Sequence, residues 1–331
     1  MNTLTSSLEF SHFPVMLSEI IQIASPEKGG LFIDCTFGGG SYSNELLKFP
    51  KTKVIGIDRD EAVISRANEL QKKYQKRFKF YQIKFSELDK ILNKNADTII
   101  FDLGLSSIQL KNLNRGFSFK SKNKLDMAMG LNNISAQEAI NNLSEKHLKL
   151  IIKILGEETE ASNIAKNIIK ARSEKKITKV NELVKIIGKS KKKNFSSKIN
   201  PSTKTFQALR IYVNKEISEL INGITKATKI LKPGGKLVIV SFHSIEDKIV
   251  KYFFSNFSKN RSNPSRYLPE DNNTACFLFE KYNKKVIKPT SHEIKINNPS
   301  RSAKMRFAIR SKNQFLFPQN LFKRFSSYLD I

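Results

Sequence analysis

The sequence predicts a doubly wound α/β fold of Rossmann type, with a seven-stranded, mostly parallel sheet interrupted by a small inserted helical domain. Three observations predict it. Short apolar runs alternate with amphipathic helical stretches up to about residue 105, the pattern of βα units. From 108 to 204 the strand signal gives way to helical periodicity, and near residue 236 the alternation resumes. The sheet domain is therefore assigned to 1–107 and 205–331, and the helical insertion to 108–204.

The first four strands are expected at Gly30 to Phe37 (GLFIDCTF), Lys53 to Asp58 (KVIGID), Lys79 to Phe85 (KFYQIKF) and Ala96 to Leu103 (ADTIIFDL), all rich in Ile, Val and Phe. A helix starts over Ser43 to Leu47, and Arg59 to Tyr74 carries Val63, Ala67 and Leu70 at helical spacing. In the insertion, Ser135-Ala-Gln-Glu138 reads as a capping box. Apolar stripes follow at Leu148, Ile151, Ile152 and Leu155, at Ile164, Ile168 and Ile169, and at Leu183, Ile186 and Ile187. One long helix is expected from Phe206 to Ile230, stopped by Lys232-Pro-Gly-Gly235, before a fifth strand at Lys236 to Phe242. Cys276 to Tyr282 and Lys304 to Arg310 lack a convincing helix between them and fit an antiparallel hairpin at the sheet edge.

The chain of 331 residues carries 58 Lys and Arg against 30 Asp and Glu, a net charge of +28. Such a surplus suits a polyanionic partner such as nucleic acid. Lysine dominates it, only 12 of the 58 being arginine, so an AT-rich coding bias explains the charge equally well. No stretch approaches the roughly 18 apolar residues of a membrane span, and the N-terminus lacks a basic and then apolar leader. Two cysteines build no disulfide framework, and with four scattered histidines they give no zinc spacing. The reading is a cytoplasmic protein without membrane or metal.

The first strand runs into Asp34-Cys-Thr-Phe-Gly-Gly-Gly-Ser-Tyr-Ser43, a glycine turn opening a helix, where such sheets bind nucleotides. The second strand ends in Asp58, placed to accept hydrogen bonds from a ribose diol. The turn is neither G-x-G-x-x-G nor G-x-x-x-x-G-K-[ST], which disfavours dinucleotides and nucleoside triphosphates. S-adenosylmethionine needs the turn and the ribose acceptor without pyrophosphate geometry, and is favoured. The fourth strand ends in Asp102-Leu-Gly-Leu-Ser-Ser107. A carboxylate there can accept the N–H bonds of an exocyclic base amine and align its lone pair for methyl transfer; capping the next helix is its bland reading. Cys35 and Cys276 both fall inside strands, so a cysteine nucleophile for ring-carbon methylation is not expected. After the fifth strand, Ser241 and His243 are weaker candidates for the substrate side. His243 reads equally as a loop histidine, and Glu246 and Asp247 as the start of a helix.

In order, His12-Phe-Pro-Val-Met-Leu17, Asp34 to Gly40, Gly56-Ile-Asp-Arg-Asp60, Asp102 to Ser107 with Gln109, Arg115-Gly-Phe-Ser-Phe119, Leu125-Asp-Met127, Gly156-Glu-Glu158, Thr205-Phe-Gln-Ala-Leu-Arg210 with Val213-Asn214, Ser241 to Asp247 and Arg301-Ser-Ala-Lys-Met-Arg306 span nearly the whole chain. Together they resemble the bacterial 16S rRNA (cytosine-N4)-methyltransferase family. The resemblance implies a class I methyltransferase fold, S-adenosylmethionine as cofactor, and methylation of N4 of a cytidine in the decoding region of 16S rRNA in the small ribosomal subunit, with the insertion contributing to substrate recognition. Carried over by position, it implies cofactor contacts at Gly40, Ser41 and Tyr42, Asp58 on the ribose, Phe85 against the adenine, and Asp102 and Gln109 near the reacting end. This chain departs from the family pattern twice: Ser41-Tyr42 stands where Gly-His is usual, and Ala128 where arginine is usual.

The basic segment Gly188 to Lys198 and the Arg261 to Arg266 loop are candidate phosphate contacts, the first, taken alone, reading slightly better as solvated loop. Two other classes remain open: a DNA amino-methyltransferase, which shares the acidic motif after the fourth strand, and a non-catalytic RNA-binding assembly protein that keeps the fold.

Overall fold

A computed structural model of the chain describes residues 14–93, 95–132, 134–191, 200–259 and 277–331. The basic segment from Lys192 onward, the Arg261 to Arg266 loop, Cys276 and His12 lie outside these residues.

Seven strands form one sheet: β1 (Gly30–Asp34), β2 (Thr52–Asp58), β3 (Phe78–Gln82), β4 (Ala96–Asp102), β5 (Leu231–Ser241), β6 (Phe279–Tyr282) and β7 (Lys304–Arg310), in the order β3-β2-β1-β4-β5-β7-β6. The first five are parallel; β7 runs antiparallel to both β5 and β6, so the expected edge hairpin is present. Helices α1 (Leu17–Ala24), α2 (Ser41–Leu47) and α3 (Ile64–Tyr74) belong to the first half. α4 (Ser107–Lys111), α5 (Ala136–Asn142), α6 (Glu145–Leu155), α7 (Ala161–Glu174), α8 (Val180–Ser190) and α9 (Thr203–Asn214) come between β4 and β5. α10 (Glu216–Ile230), α11 (Ser244–Asn256) and α12 (Ser291–Ile296) follow.

Parallel strands covered on both faces read as continuous apolar runs, which is why the first four were found. Adjacent residues divide between the two layers: Ile33, Ile99 and Phe101 pack with α10 residues such as Leu220 and Ile224, while Phe32, Ile100 and Val54 pack with Ile20, Leu46 and Ala67 on the other side. A third core joins Leu148, Ile152, Ile164, Ile168, Leu183 and Ile187 of the insertion to Phe206, Leu209 and Val213 of α9. Ala208 and Ile211, on the opposite side of α9, belong to the sheet-domain core. α9 therefore straddles the assigned boundary at 204/205. Among the described residues no helix is long and apolar enough to cross a membrane.

Four expectations are corrected. The first, third and fourth strands end at Asp34, Gln82 and Asp102, earlier than expected. The expected long helix is two, α9 and α10, broken at Lys215, whose left-handed φ of 51° ends one helix and begins the next. Lys232 to Gly235 forms a bulge inside β5, where Ala96 pairs with Leu231 and Thr98 already with Lys236. A short helix, α12, lies between β6 and β7.

One glycine fixes the insertion to the sheet. Gly130 has φ of 96°, and a Cβ there would sit 2.4 Å from the carbonyl oxygen of Arg59, just past β2. Gly130→Ala is expected to destabilise the protein by about 2 kcal/mol or more, combining left-handed strain with a backbone clash. Urea titration would measure it; an unchanged midpoint would mean that the loop moves freely.

Candidate active site

Between β1 and β4 the connections diverge, one set leading outward to β2 and β3 and the other to β5. There, at the carboxyl ends of the strands, a cavity of about 550 Å³ opens.

Its floor is the turn after β1, where Gly38 and Gly40 have φ of 48° and 71°. A Cβ on Gly40 would lie 2.6 Å from Phe37 Cζ, and that ring is held by Phe78 and Phe80. Only glycine fits. Gly40 precedes α2 without lining the cavity, whereas Ser41 and Tyr42 line it.

Asp58 also lines the cavity. Its Oδ2 accepts the Gly38 N–H at 2.8 Å and its Oδ1 the Asp60 N–H at 2.9 Å, so the carboxylate braces the glycine turn. Burial pushes its pKa above the usual carboxylate range, against the pull of those two donors. The neighbouring Asp60 is a hub. Its Oδ2 accepts Arg115 Nη1 at 2.5 Å and Gln109 Nε2 at 2.7 Å. Gln109 lines the cavity with its amide already engaged, since its Oε1 also accepts the Ser106 N–H in a capping box that starts α4. Arg115 reaches the Ala128 carbonyl at 2.7 Å, at the position where the family carries arginine.

Asp102 ends β4, with its N–H donated to Thr36 Oγ1 at 2.7 Å. Tyr42 has one phenolic proton and two acceptors, the Val15 carbonyl at 2.6 Å and Asp102 Oδ2 at 3.1 Å. The other oxygen, Asp102 Oδ1, is buried and has no hydrogen-bond partner among the described residues. Burial pushes the Asp102 pKa up to about 8, against the Tyr42 hydrogen bond and with added repulsion from Asp34 and Glu246. Phe85, at the start of a 3₁₀ turn after β3, stands edge-on to Phe101 with centroids 5.3 Å apart, and lines the cavity.

Ser241 and His243 do not line it. Ser241 is buried and donates to the Lys304 carbonyl at 3.2 Å, toward β7. The chain after β5 winds at once into α11: Glu246 Oε2 accepts the N–H of Phe242 and of His243, and His243 Nδ1 receives the Glu246 N–H at 3.4 Å. The imidazole is thus a helix cap that accepts a backbone N–H, a role neither of its sequence readings named. Cys35 lies one residue beyond β1 and does line the cavity, a correction to its placement inside a strand. Burial pushes its thiol well above the usual range, so it stays protonated and a poor nucleophile.

Three carboxylates that sequence patterns did not assign to the site, Glu216, Glu219 and Glu246, complete the lining. Glu216 is held by Arg210 through two contacts of 2.8 Å. Burial raises the Glu246 pKa, but His243, Arg210 and the Phe242 N–H outweigh it and hold the group below its usual range. Ligand atoms of Glu216, His243 and Glu246 lie within 4.8 Å of one another, a cluster to which Arg210 already supplies a cation. Glu219 Oε2 is a second buried oxygen without a partner among the described residues. Five carboxylates outnumber the three cations of the lining, Arg59, Lys84 and Lys111, and the two unpartnered oxygens of Asp102 and Glu219 suit a ligand that brings N–H, O–H or positive charge.

Comparisons with known proteins agree with this architecture. The model of the MraW methylase family matches residues 9–311. The chain is 41% identical over 306 residues to the ribosomal RNA small subunit methyltransferase H of Afipia carboxidovorans, covering 91% of both chains. It is 39% identical over 305 residues to the protein of that name from Ehrlichia ruminantium, covering 90% of this chain and 99% of the relative. To the one from a Wolbachia of Drosophila simulans it is 41% identical over 301 residues, covering 89% and 98%. With its family model spanning the sheet domain and the insertion alike, the chain belongs to the MraW methylase family.

Proposed function

We propose that this protein transfers the methyl group of S-adenosylmethionine to the exocyclic N4 of a cytidine in the decoding region of small-subunit 16S rRNA. The observation that carries the reading is Asp102 Oδ1, a buried, unpartnered acceptor in an acid-lined cavity at the switch point. S-adenosylmethionine brings a sulfonium-activated methyl group. With Glu216 paired to Arg210 and Asp102 largely protonated at neutral pH, Asp58 and Glu219 are the carboxylates that favour a cationic cofactor over the phosphates of a dinucleotide.

Asp58 and Glu219 are suited to ribose hydroxyl or ammonium donors, Phe85 to stacking on adenine, and Tyr42 to holding Asp102 Oδ2 in place. Asp102 Oδ1 accepts an N–H of the cytidine amine, which turns the nitrogen lone pair toward the methyl group and relieves the positive charge that grows on nitrogen. Attack at C5 of the ring would need a thiolate, and Cys35 is held protonated. The target base must leave its stack to enter the cavity, and the helical insertion is assigned to recognising the surrounding rRNA. The family's small-subunit rRNA relatives and the surplus of basic residues support this partner, and with it a cytoplasmic setting.

The test is methyl transfer from labelled S-adenosylmethionine to small subunits lacking the modification, followed by nucleoside analysis. Label in N4-methylcytidine is expected. Label in duplex DNA and not in subunits would move the protein among DNA amino-methyltransferases. Cofactor and subunit binding without transfer would leave an assembly factor.

A further inference from the structure

A second concavity, of about 310 Å³, adjoins the first, and Phe242 lines both. The two differ in charge balance. Five carboxylates and three cations, Arg59, Lys84 and Lys111, line the active-site cavity, whereas the neighbouring groove is lined by Lys288, Arg301, Lys304, His243, Ser244 and Ser302 with no carboxylate of its own, although Glu157 accepts from Ser244 and Glu246 pairs with His243 from just outside it.

The backbone builds this arrangement. An isolated antiparallel bridge ties Ile287 to Met305, with N–H to O distances of 3.0 and 2.9 Å, and so brings Lys288 beside Lys304. A 3₁₀ turn, Asn298–Ser302, presents Arg301 just before β7. The groove also meets the start of α11 at His243 and Ser244, where Glu246 already caps the first N–H groups, so its positive charge comes from the side chains of Lys288, Arg301 and Lys304. Lys304 is paired with Asp247 at 3.2 Å. Lys288 and Arg301 are exposed and make no ion pair among the described residues.

We propose that this groove seats a phosphodiester of the RNA strand beside the target nucleotide, with Phe242 standing between the phosphate subsite and the base cavity. The inference rests on the rRNA reading above and adds to it where the strand runs. A nucleotide has the same polarity as this pair of concavities, an amine-bearing base at one end and an anionic backbone at the other. Arg301 and Lys288 grip the phosphate oxygens, and Lys304 is steadied by Asp247 at the groove wall. Phosphate contacts of this kind set register and leave the chemistry to the cavity.

The experiment compares wild type with Lys288→Ala, Arg301→Ala and the double variant. It measures binding to unmodified small subunits across a salt series, steady-state methyl transfer, and cofactor affinity by calorimetry. Each single variant is expected to reduce the log–log salt slope by about 0.7 to 1. The double variant is expected to raise KM for subunits by about tenfold or more, with kcat within about twofold and cofactor Kd unchanged. Arg301→Lys should restore part of the slope. Slopes and KM equal to wild type in the double variant would overturn the groove's role while leaving the rRNA reading intact. A rise in cofactor Kd would assign the groove to the cofactor carboxylate and overturn the proposal. Wild type that neither binds nor methylates subunits would remove the rRNA reading, and the groove assignment with it.

Discussion

Asp102→Ala is expected to lower kcat for methyl transfer by about 10²- to 10⁴-fold while changing cofactor affinity only a few-fold. The variant removes the buried, unpartnered oxygen that the proposed function assigns to the amine N–H, whereas Asp58, Phe85 and Glu219 remain to line the part of the cavity proposed for the cofactor. A second signature is pH. With its pKa at about 8, Asp102 is largely protonated at neutral pH, and the accepting carboxylate accumulates as pH rises. Single-turnover rates should therefore climb through an apparent pKa near that value, and Asp102→Asn should flatten the limb. Stability runs the other way. Between about pH 4 and 8 the folded protein retains a proton that the unfolded chain has released, so stability falls as pH rises through that window. Asp34, raised to about 6 by burial, adds to the fall between about pH 4 and 6. Denaturant midpoints at several pH values, compared with Asp102→Asn, would show it; a fall of equal size in the variant would remove Asp102 as the source.

Asp58→Ala is expected to weaken S-adenosylmethionine binding by roughly 100-fold, the order expected when two hydrogen bonds to a charged group are lost. Two functions vanish together: the acceptor proposed for the ribose and the brace on the Gly38 N–H and Asp60 N–H. Asp58→Asn keeps one acceptor oxygen and should lose less. Calorimetric titration with the cofactor distinguishes the two variants, and wild-type affinity in Asp58→Ala would place the ribose elsewhere in the cavity.

What could be read in advance followed from which physical rules act locally. Strands buried on both faces announce themselves as apolar runs, and the rule that ligands sit at the carboxyl ends of such strands located Asp58 and Asp102 before any geometry was known. Tyr42, Phe85 and Gln109 came from the family's motifs rather than from periodicity, and all three line the cavity. The break at Lys215 was hidden because no glycine or proline marks it. That break sets the start of α10, and with it Glu216 and Glu219, so both acids were overlooked. The contacts of Ser241 and His243 were hidden for a different reason. Ser241 spends its hydroxyl on the Lys304 carbonyl of the neighbouring β7, and an immediate capping box turns the imidazole onto its own helix. The partner of a capping residue is set by torsion angles that a one-dimensional pattern does not carry.

The placement of the helical insertion between two neighbouring strands also governs the order of assembly. β4 and β5 pair in the finished sheet, yet everything from α4 to α10 is synthesised between them. While that stretch is unstructured, β4 is an open edge with its ladder groups unpaired, and closing a loop of such length costs roughly 4 kcal/mol in chain entropy. Once the insertion has condensed around Leu148, Ile164 and Leu183, α9 joins that core and the sheet-domain core at once, so the ends of the loop are drawn together before β5 arrives. Assembly of the insertion is thus expected to precede closure of the sheet. Substitutions that loosen its core will show first as slow or aggregation-prone folding of the catalytic domain.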